Sequence, residues 1–446
     1  MNIKINKKKS DIFDEIELLD ETQLKNKEEK LLKNQIKYVL RYSDFYKKKW
    51  QDYGQKLEDI FCNFKNLPFT KKDEIISLQN KETIYNSNLC ISKNKIVRIQ
   101  KTSGTTTTPL FIPLTKNDIK YITDCGARCF WAAGLRPGDV VVNCMNYCMY
   151  MGGFTDHQSL EKTGACVIPF GVGSTELLIE TILKTGIDTL HSTPSYLSKL
   201  EQVLSEKYNL IPKDLKLKRG LFGGESFFQN EKYRRELDEK WGFEAFNANY
   251  GIAEIMSMFG GECIQKDGLH FMGQGHLLVE LYSNEKEKYV EIEKGNIGEF
   301  ILSNLKKEAN PLIKYKTGDI VKIIDTSKCA CGRTSFRFQI IGRADDMIII
   351  KGVNLFPNSI KNIIANYPKF FSGDFRIILY GKPPYNYIKL LVEMSEVFDT
   401  KINPEQIKEK LKTELKNKLN ITFDIDLIEK NKLIKTDGKI KYIIYK

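Results

Sequence analysis

The chain has 446 residues, more than a single hydrophobic core usually holds, so the sequence predicts two or three domains. Hydrophobic residues make up 41% of the chain and aromatic residues 11%, which excludes an intrinsically disordered protein. The formal net charge of +12 comes from scattered lysines, and it indicates a solvated basic surface rather than a dedicated nucleic-acid site. Such a field would attract a nucleotide, coenzyme A or an acidic carrier protein.

The predicted elements begin with helices over residues 12–60. Two short strands then flank the loop KTSGTTTTPL at 101–110, and a helix follows that ends at Gly134. From there to residue 251, short apolar strands such as VVVNCM and RGLFGGE alternate with helices. This alternation predicts a mostly parallel, doubly wound sheet, which binds ligands beyond the carboxyl ends of its strands.

The pattern changes to successive strands at about residue 276, which predicts a β-rich subdomain over 276–341. Beyond Arg343 the pattern is that of a small α+β module. The sequence therefore predicts an α/β protein with a large N-terminal domain at 1–343, mostly parallel sheets and the β-rich part included, and a C-terminal domain at 344–446.

The termini and the cysteines bear on localisation. MNIKINKKKSDIFDEIELL lacks the apolar segment of a signal peptide, and no apolar run approaches the roughly 18–20 residues of a membrane span. The ten cysteines do not form the dense pattern of a secreted disulfide scaffold. We therefore expect a cytoplasmic protein with reduced cysteines and neither a membrane nor a nucleic acid as partner.

The threonine-rich loop has two interpretations. Ser103, Gly104, Thr105 and Thr106 offer hydroxyl groups and backbone N–H groups that can wrap phosphate oxygens, and the glycine permits close approach. The Walker pattern GxxxxGK[ST] is absent, and a plain threonine-rich hairpin would have the same composition. The loop by itself does not decide between them.

Four further motifs follow in order. They are NANYGIAEI at 247–255, YKTGDI at 315–320, IIGRADDMIIIKGVNLFP at 340–357 and GKIKYII at 438–444. Together with the loop, this ordered set resembles the adenylate-forming (acyl-CoA synthetase) superfamily, and within it the phenylacetate–CoA ligases. LPFTKKDEI, HSTPSYL and LFGGE are similar to the same subfamily.

The resemblance implies a reaction in which ATP and a carboxylate give an acyl-adenylate, from which a thiol displaces AMP. It implies Mg²⁺ on Glu254 and a catalytic Lys439 that bridges the carboxylate and the α-phosphate. The C-terminal domain would be mobile, with its hinge at Asp345 and with Gly352 lining a thiol channel. The residues that it assigns to ATP or AMP are Ser103, Gly104, Thr105, Thr106, Gly223, Gly224, Glu225, Asn249, Tyr250, Gly251, Asp319 and Arg343.

The chain departs from the family pattern at two places. Thr107 and Thr108 stand where Gly-Lys is usual, so the loop loses a flexible position and a phosphate contact. Lys314 and Lys316 flank Tyr315 where arginines are common, which keeps the charge but not the bidentate fork.

The segments CIQKDGLH and CACGR carry a second constellation. Cys263, His270, Cys329 and Cys331 supply three thiolates and an imidazole, a tetrahedral Zn²⁺ set that leaves no position for water and would be structural. The alternative is reduced, unligated cysteines in loops.

The acyl pocket and the acceptor are the least determined features. NCMNYCMYMGGFTDH is similar to the family's pocket-lining stretch, and ordinary core packing is the alternative for each of its candidates, Tyr147, Tyr150, Gly152, Gly153 and Phe154. The thiol belongs to coenzyme A or to the phosphopantetheine of a stand-alone acyl carrier protein. AMP transfer to a coenzyme and a non-catalytic binding module are further alternatives. The sequence names neither the acid, expected to be a small aromatic carboxylate, nor the oligomeric state, for which a homodimer is open.

Overall fold

In a computed structural model of the chain, the described residues are 11–54, 56–79, 84–86, 88–102, 109–225, 231–350, 353–381, 385, 387–395, 403–433 and 442–445. They divide into two compact units. The first comprises the described residues of Met1–Glu225, Leu237–Thr317 and Lys322–Gln339. The second comprises those of Ser226–Glu236, Gly318–Val321 and Ile340–Lys446.

The first unit begins with helices, as the sequence predicts for residues 12–60. They are α1 (Glu21–Tyr42), α2 (Asp44–Lys49), α3 (Leu57–Cys62) and, after these, α4 (Lys72–Leu78). The Asp20 carboxylate begins α1 because it accepts the backbone N–H of Gln23 at 2.8 Å, and the Gln23 side chain accepts the N–H of Asp20 in return. The apolar face of α1 is buried against the following helices through Leu32, Ile36, Val39, Trp50 and Ile60.

A hairpin carries the threonine-rich loop. Its strands β1 (Arg98–Lys101) and β2 (Phe111–Leu114) pair antiparallel. At the base of the loop, the backbone N–H of Leu110 donates to the Thr102 hydroxyl at 3.1 Å, and that of Thr102 donates to the Leu110 carbonyl at 2.9 Å. The two ends of the loop are therefore held together.

Within the described residues, the main sheet has twelve strands. Its parallel part consists of β3 (Val140–Asn143), β4 (Cys166–Pro169), β5 (Thr189–Ser192), β6 (Arg219–Gly223) and β7 (Glu244–Ile252), arranged β4-β3-β5-β6-β7. The helices that alternate with them are α5 (Lys116–Ala132), α6 (Met151–Lys162), α7 (Thr175–Thr185), α8 (Tyr196–Val203) and α9 (Glu231–Trp241). The predicted alternation is confirmed, and it brings the carboxyl ends of the parallel strands to one side of the sheet.

Further strands continue the same sheet beyond β7. They are β8 (Met256–Glu262), β9 (Leu269–Phe271), β10 (Leu277–Ser283), β11 (Lys288–Val290), β12 (Ile297–Asn304), β13 (Tyr315–Asp325) and β14 (Arg337–Arg343), arranged β11-β10-β12-β13-β14-β9-β8. This part begins at Met256, before the start predicted near residue 276. Strand β8 does not stand out in the sequence because MSMFGGE is buried almost throughout and rich in glycine, so it lacks the alternation and the β-branched residues of a typical strand.

The second unit has an α+β core. A hairpin of β15 (Ile348–Ile350) and β16 (Val353–Leu355) precedes α10 (Pro357–Ile364), β17 (Phe371–Leu379), β18 (Ile388–Met394), α11 (Pro404–Leu419), β19 (Asp424–Ile428) and β20 (Ile443–Tyr445). The sheet order is β19-β18-β17-β20, with only the central pair antiparallel. Leu411 and Leu415 of α11 lie in the same buried cluster as Phe375 and Leu390. In neither unit does a described helix have the length and apolar content needed to cross a bilayer.

Candidate active site

Two predicted nucleotide segments lie side by side at the carboxyl ends of β6 and β7. The register of these strands shifts so that Gly223 is opposite Asn249. A Cβ atom on Gly223 would lie 2.6 Å from that of Asn249, so the approach requires glycine. Gly224 follows with a φ of +80°, in the left-handed region. The Glu225 carboxylate then accepts the hydroxyl of Ser195 at 2.6 Å and its N–H at 3.2 Å, which joins this turn to the loop before α8.

Tyr250 and Gly251 occupy the end of β7, next to β8. The Tyr250 ring packs edge-on against Phe259 and Phe338, with centroid distances of 5.0 and 5.6 Å. A Cβ atom on Gly251 would lie 2.0 Å from the Ser257 carbonyl oxygen, which explains glycine at this position. The geometry therefore provides an aromatic residue held on one side by two phenylalanines.

Glu254 is 3% exposed. Its Oε1 atom accepts the Tyr315 hydroxyl at 2.6 Å and lies 3.1 Å from the Lys72 Nζ atom. Burial raises the pKa of the Glu254 carboxyl, but the Lys72 charge and the Tyr315 hydrogen bond outweigh burial and hold the pKa below its usual value. The buried Lys307 ammonium donates to the Glu254 carbonyl oxygen at 2.6 Å and holds the backbone. A buried carboxylate whose cationic partner is partly exposed is a suitable oxygen ligand for a hard cation such as Mg²⁺.

Asp319, Arg343 and Asp345 form a cluster in the second unit. Arg343 donates through Nη1 to Asp319 at 3.0 Å and through Nε to Asp345 at 2.9 Å, so its guanidinium bridges the predicted ribose ligand and the predicted hinge. The backbone at Gly318 has a φ of +78°, and a Cβ there would lie 2.6 Å from Arg343 Nη2. Any rotation of the backbone at Asp345 therefore changes the contacts of Arg343.

Six predicted site residues lie outside the described residues. They are Ser103, Gly104, Thr105, Thr106, Gly352 and Lys439. Their roles rest on the sequence.

The predicted acyl-pocket residues fall into two groups. Tyr147 and Phe154 lie together, with centroids 6.3 Å apart, and both rings contact His157. Tyr150 instead precedes α6 and pairs with Lys101 of β1, whose ammonium lies 5.4 Å from its ring centroid. A Cβ on Gly153 would lie 2.3 Å from the Asn146 carbonyl oxygen, so this glycine serves close packing, whereas the position of Gly152 has more room.

The structure adds three residues that the sequence did not single out. Lys72 had a signal, since it lies in the LPFTKKDEI motif, but its partner Glu254 is distant in the sequence. Asp156 and His191 are fully buried near the ends of β3 and β5. His191 had a signal as a histidine at the carboxyl end of a predicted strand, and Asp156 had one because it lies in the pocket-lining stretch NCMNYCMYMGGFTDH.

The four candidate zinc ligands converge in the first unit. Their ligand atoms all lie within 4.8 Å of one another, and all four residues are buried. The Cys263 and Cys329 sulfurs are 3.9 Å apart, and the Cys331 sulfur is 3.6 Å from His270 Nε2. Zn–S bonds of about 2.3 Å in a tetrahedron place two sulfurs about 3.8 Å apart, so the spacing fits this ion. Ser335 Oγ lies 3.1 Å from His270 Nδ1 and orients the ring with Nε2 toward the thiols.

Comparison with known proteins gives relatives along nearly the whole chain. The chain is 28% identical to a phenylacetate–coenzyme A ligase of Thermus thermophilus, over 95% of this chain and 96% of the relative. It is 26% identical to that of Escherichia coli K12, over 96% of both chains. The family model of the AMP-binding enzyme C-terminal domain matches residues 352–446.

Solved structures share the fold. A 2-hydroxyisobutyryl-CoA ligase in complex with its acyl-adenylate superposes with a TM-score of 0.85 at 23% identity, over 97% of this chain and 91% of the other. An anthranilate–CoA ligase in complex with anthranoyl-AMP gives 0.56 at 17% identity, over 79% of this chain and 66% of the other.

Proposed function

We propose, on the premise that this chain is a phenylacetate–CoA ligase-like adenylate-forming enzyme, that it joins an aromatic carboxylate to coenzyme A and forms AMP. The observation that carries the proposal is the similarity to four phenylacetate–CoA ligases at 26–29% identity, over at least 86% of this chain. The ionised, buried Glu254 supports it, because it offers an oxygen ligand where a polyphosphate needs its charge neutralised.

The first step forms the acyl-adenylate. A carboxylate oxygen attacks the α-phosphorus of ATP, and pyrophosphate leaves. The hydroxyl and N–H groups of 103–106 bind the β- and γ-phosphates, Asp319 accepts from the ribose hydroxyls and Tyr250 lies along the adenine. Lys439 stabilises the negative charge shared by the carboxylate and the α-phosphate as they join. Mg²⁺ held by Glu254 would supply charge neutralisation to the phosphates.

The second step transfers the acyl group. The thiolate sulfur attacks the acyl carbon, and the bond between that carbon and the oxygen that bridges it to phosphorus breaks. AMP leaves with this oxygen, and the thiol proton passes to solvent. Rotation of the backbone at Asp345 removes Lys439 from the site and brings in the segment that contains Gly352. A side chain at position 352 would obstruct pantetheine. Coenzyme A is the proposed acceptor, and a stand-alone acyl carrier protein is the alternative.

Zn²⁺ bound by Cys263, His270, Cys329 and Cys331 belongs to the proposal as a structural ion. The four ligands leave no coordination position for substrate, so its contribution is to join the segment after β8 to the segment before β14.

The test is carboxylate-dependent ATP–pyrophosphate exchange over a set of aryl acids, followed by a thioester assay. We expect exchange with at least one acid, and we expect Lys439→Ala to lower it by a factor of about 100 or more. Lys441→Ala, two positions away, is the matched control and should retain the rate. Exchange that needs no acid would instead favour AMP transfer to a coenzyme, and faster acylation of a carrier protein than of coenzyme A would change the acceptor.

A further inference from the structure

A buried polar cluster lies beside the predicted acyl pocket. It consists of Asn143 at the end of β3, His191 in β5, Asn249 in β7 and Asp156 on α6. The first three come from the side of the sheet where the parallel strands end, and Asp156 and His191 are 0% exposed. Doubly wound sheets bind their ligands on this side.

The hydrogen bonds of Asn143 determine which nitrogen of His191 carries hydrogen. The Asn143 amide nitrogen donates to the Gly153 carbonyl at 3.0 Å, and its oxygen accepts the Met145 N–H at 3.1 Å. The same oxygen lies 2.9 Å from His191 Nδ1, which must therefore be the N–H of the ring. Burial lowers the pKa of His191 to about 3, so the ring is neutral and Nε2 is a bare acceptor.

Asp156 faces this acceptor. Its Oδ2 atom accepts a hydrogen bond from the Asn249 amide and lies 3.7 Å from His191 Nε2, which is too long for a hydrogen bond. Burial raises the pKa of Asp156 well above its usual value, which favours the protonated form, and a protonated carboxyl can donate as well as accept.

Two polar atoms of this pair lack partners. Among the described residues, neither Asp156 Oδ1 nor His191 Nε2 finds a hydrogen-bond partner, although both are buried. An unsatisfied buried polar group costs about 1–3 kcal/mol, so two adjacent ones indicate a place for a group that both donates and accepts.

The pair is connected to the predicted acyl pocket. Asn143 donates to the Tyr147 hydroxyl at 2.9 Å, so one side chain contacts both His191 and the pocket tyrosine. A Cβ on Gly152 would lie 3.1 Å from the Met145 methyl carbon and 3.5 Å from Asp156 Oδ2, so Gly152 of the pocket-lining stretch lies directly beside the carboxyl.

We propose that the acid activated by this enzyme carries a hydroxyl group, which donates to His191 and hydrogen-bonds with Asp156. This inference rests on the proposed function, and it makes Asp156 and His191 specificity-determining residues. A site built to bind a hydroxyl rejects the analogue without one, because the buried partners are then left unpaired.

The experiment compares matched acids in ATP–pyrophosphate exchange with the full-length enzyme: phenylacetate against 2-, 3- and 4-hydroxyphenylacetate, and benzoate against the three hydroxybenzoates. We expect kcat/KM for one hydroxylated isomer to exceed that of its parent acid by a factor of about 10–100. Equal or better use of the parent acids would overturn the inference, since the pair would then hold only a water molecule. No exchange with any acid would overturn the proposed function as well.

Variants separate recognition from folding. Asp156→Ala should bring the ratio of kcat/KM for the hydroxylated acid to kcat/KM for its parent acid within about threefold of unity. The change should come mainly from lower activity with the hydroxylated acid. Asp156→Asn keeps the shape and should retain part of the preference. Lys162→Ala, at the end of the same helix, should keep the wild-type ratio. A ratio unchanged in Asp156→Ala contradicts the assignment, and the wild-type ratio tests it even if that variant does not fold.

Discussion

At the scale of single residues, the charge of Glu254 depends on two partners from distant parts of the chain. Lys72 lies on α4 and Tyr315 begins β13, and both contact the same carboxylate oxygen. Lys72 is partly exposed, so in the proposed mechanism Mg²⁺ would take its place on Glu254 and its ammonium would move toward the phosphates. It would thereby supply a cation that Thr108 does not.

Lys72→Ala tests this role. We expect kcat/KM for MgATP in the exchange reaction to fall by a factor of about ten or more, without recovery at high Mg²⁺, because the site loses a positive charge beside the phosphates. Lys71→Ala removes an exposed neighbouring lysine and should have little effect. An increase in kcat/KM would show instead that Lys72 competes with Mg²⁺ for Glu254.

Glu28 gives a prediction about stability. Its carboxylate accepts the Gly275 N–H at 2.9 Å, and burial raises its pKa from 4.5 to about 7. Between these values the native state binds more protons than the unfolded state, so the free energy of unfolding falls as the pH rises from about 4.5 to 7. Above pH 7 the full cost of the buried charge is present.

Glu28→Gln removes this charge and retains an acceptor for Gly275. We expect it to raise the free energy of unfolding by about 2–3 kcal/mol at pH 8 and to change it little at pH 4, as measured by urea unfolding. Glu29→Gln, an exposed neighbour, is the control. A stabilisation that is the same at both pH values would show that the buried charge is not its cause.

At the scale of elements, the strand ends and the loops between strands carry the candidate functional residues. Gly223 and Gly251 permit close approach at the ends of β6 and β7, and the cysteine–histidine cluster joins two loops beside β9 and β14. Side-chain packing alone would leave three thiols crowded together. A metal ion bound by them would hold the two loops in place.

Metal analysis of the purified protein tests the zinc proposal. We expect about one Zn²⁺ per chain, and we expect Cys329→Ser to lose it and to lower the Tm by more than about 3 °C. Cys62→Ser changes an exposed cysteine outside the cluster and should alter neither quantity. Less than about half an equivalent of zinc in the wild-type protein would count against a closed four-ligand site.

At the scale of the whole molecule, the net charge of +12 bears on the binding of the anionic substrates that we propose. Coenzyme A carries several phosphate charges, and a basic surface raises its local concentration in a manner that salt screens. The division into two units bears on the proposed motion, although the domain boundary at 343/344 and the homodimer stay predictions.

Salt dependence of the thioester step measures this contribution. We expect the KM for coenzyme A to rise by a factor of about three or more between 50 and 300 mM salt, because the Debye length falls. Pantetheine has the same thiol without the phosphates, and its KM should change little. Equal salt dependence for the two thiols would exclude an electrostatic contribution to binding.

The sequence by itself determined the class of protein and most of its elements. The strand–helix alternation and the order of the motifs are local patterns, so a single chain suffices to identify them. The likeness to phenylacetate–CoA ligases and the four-ligand metal set also followed from such patterns. The roles of the predicted site residues stay predictions.

Only the tertiary structure decided which side chains meet. Lys72 with Glu254, and Asp156 with His191, come from separate elements, and the spacing of residues along a chain does not encode such pairs. The same applies to β8, whose burial on both faces removes the alternation that marks an exposed strand. Burial and distance determine whether a carboxyl is charged, and both arise only when the chain is folded.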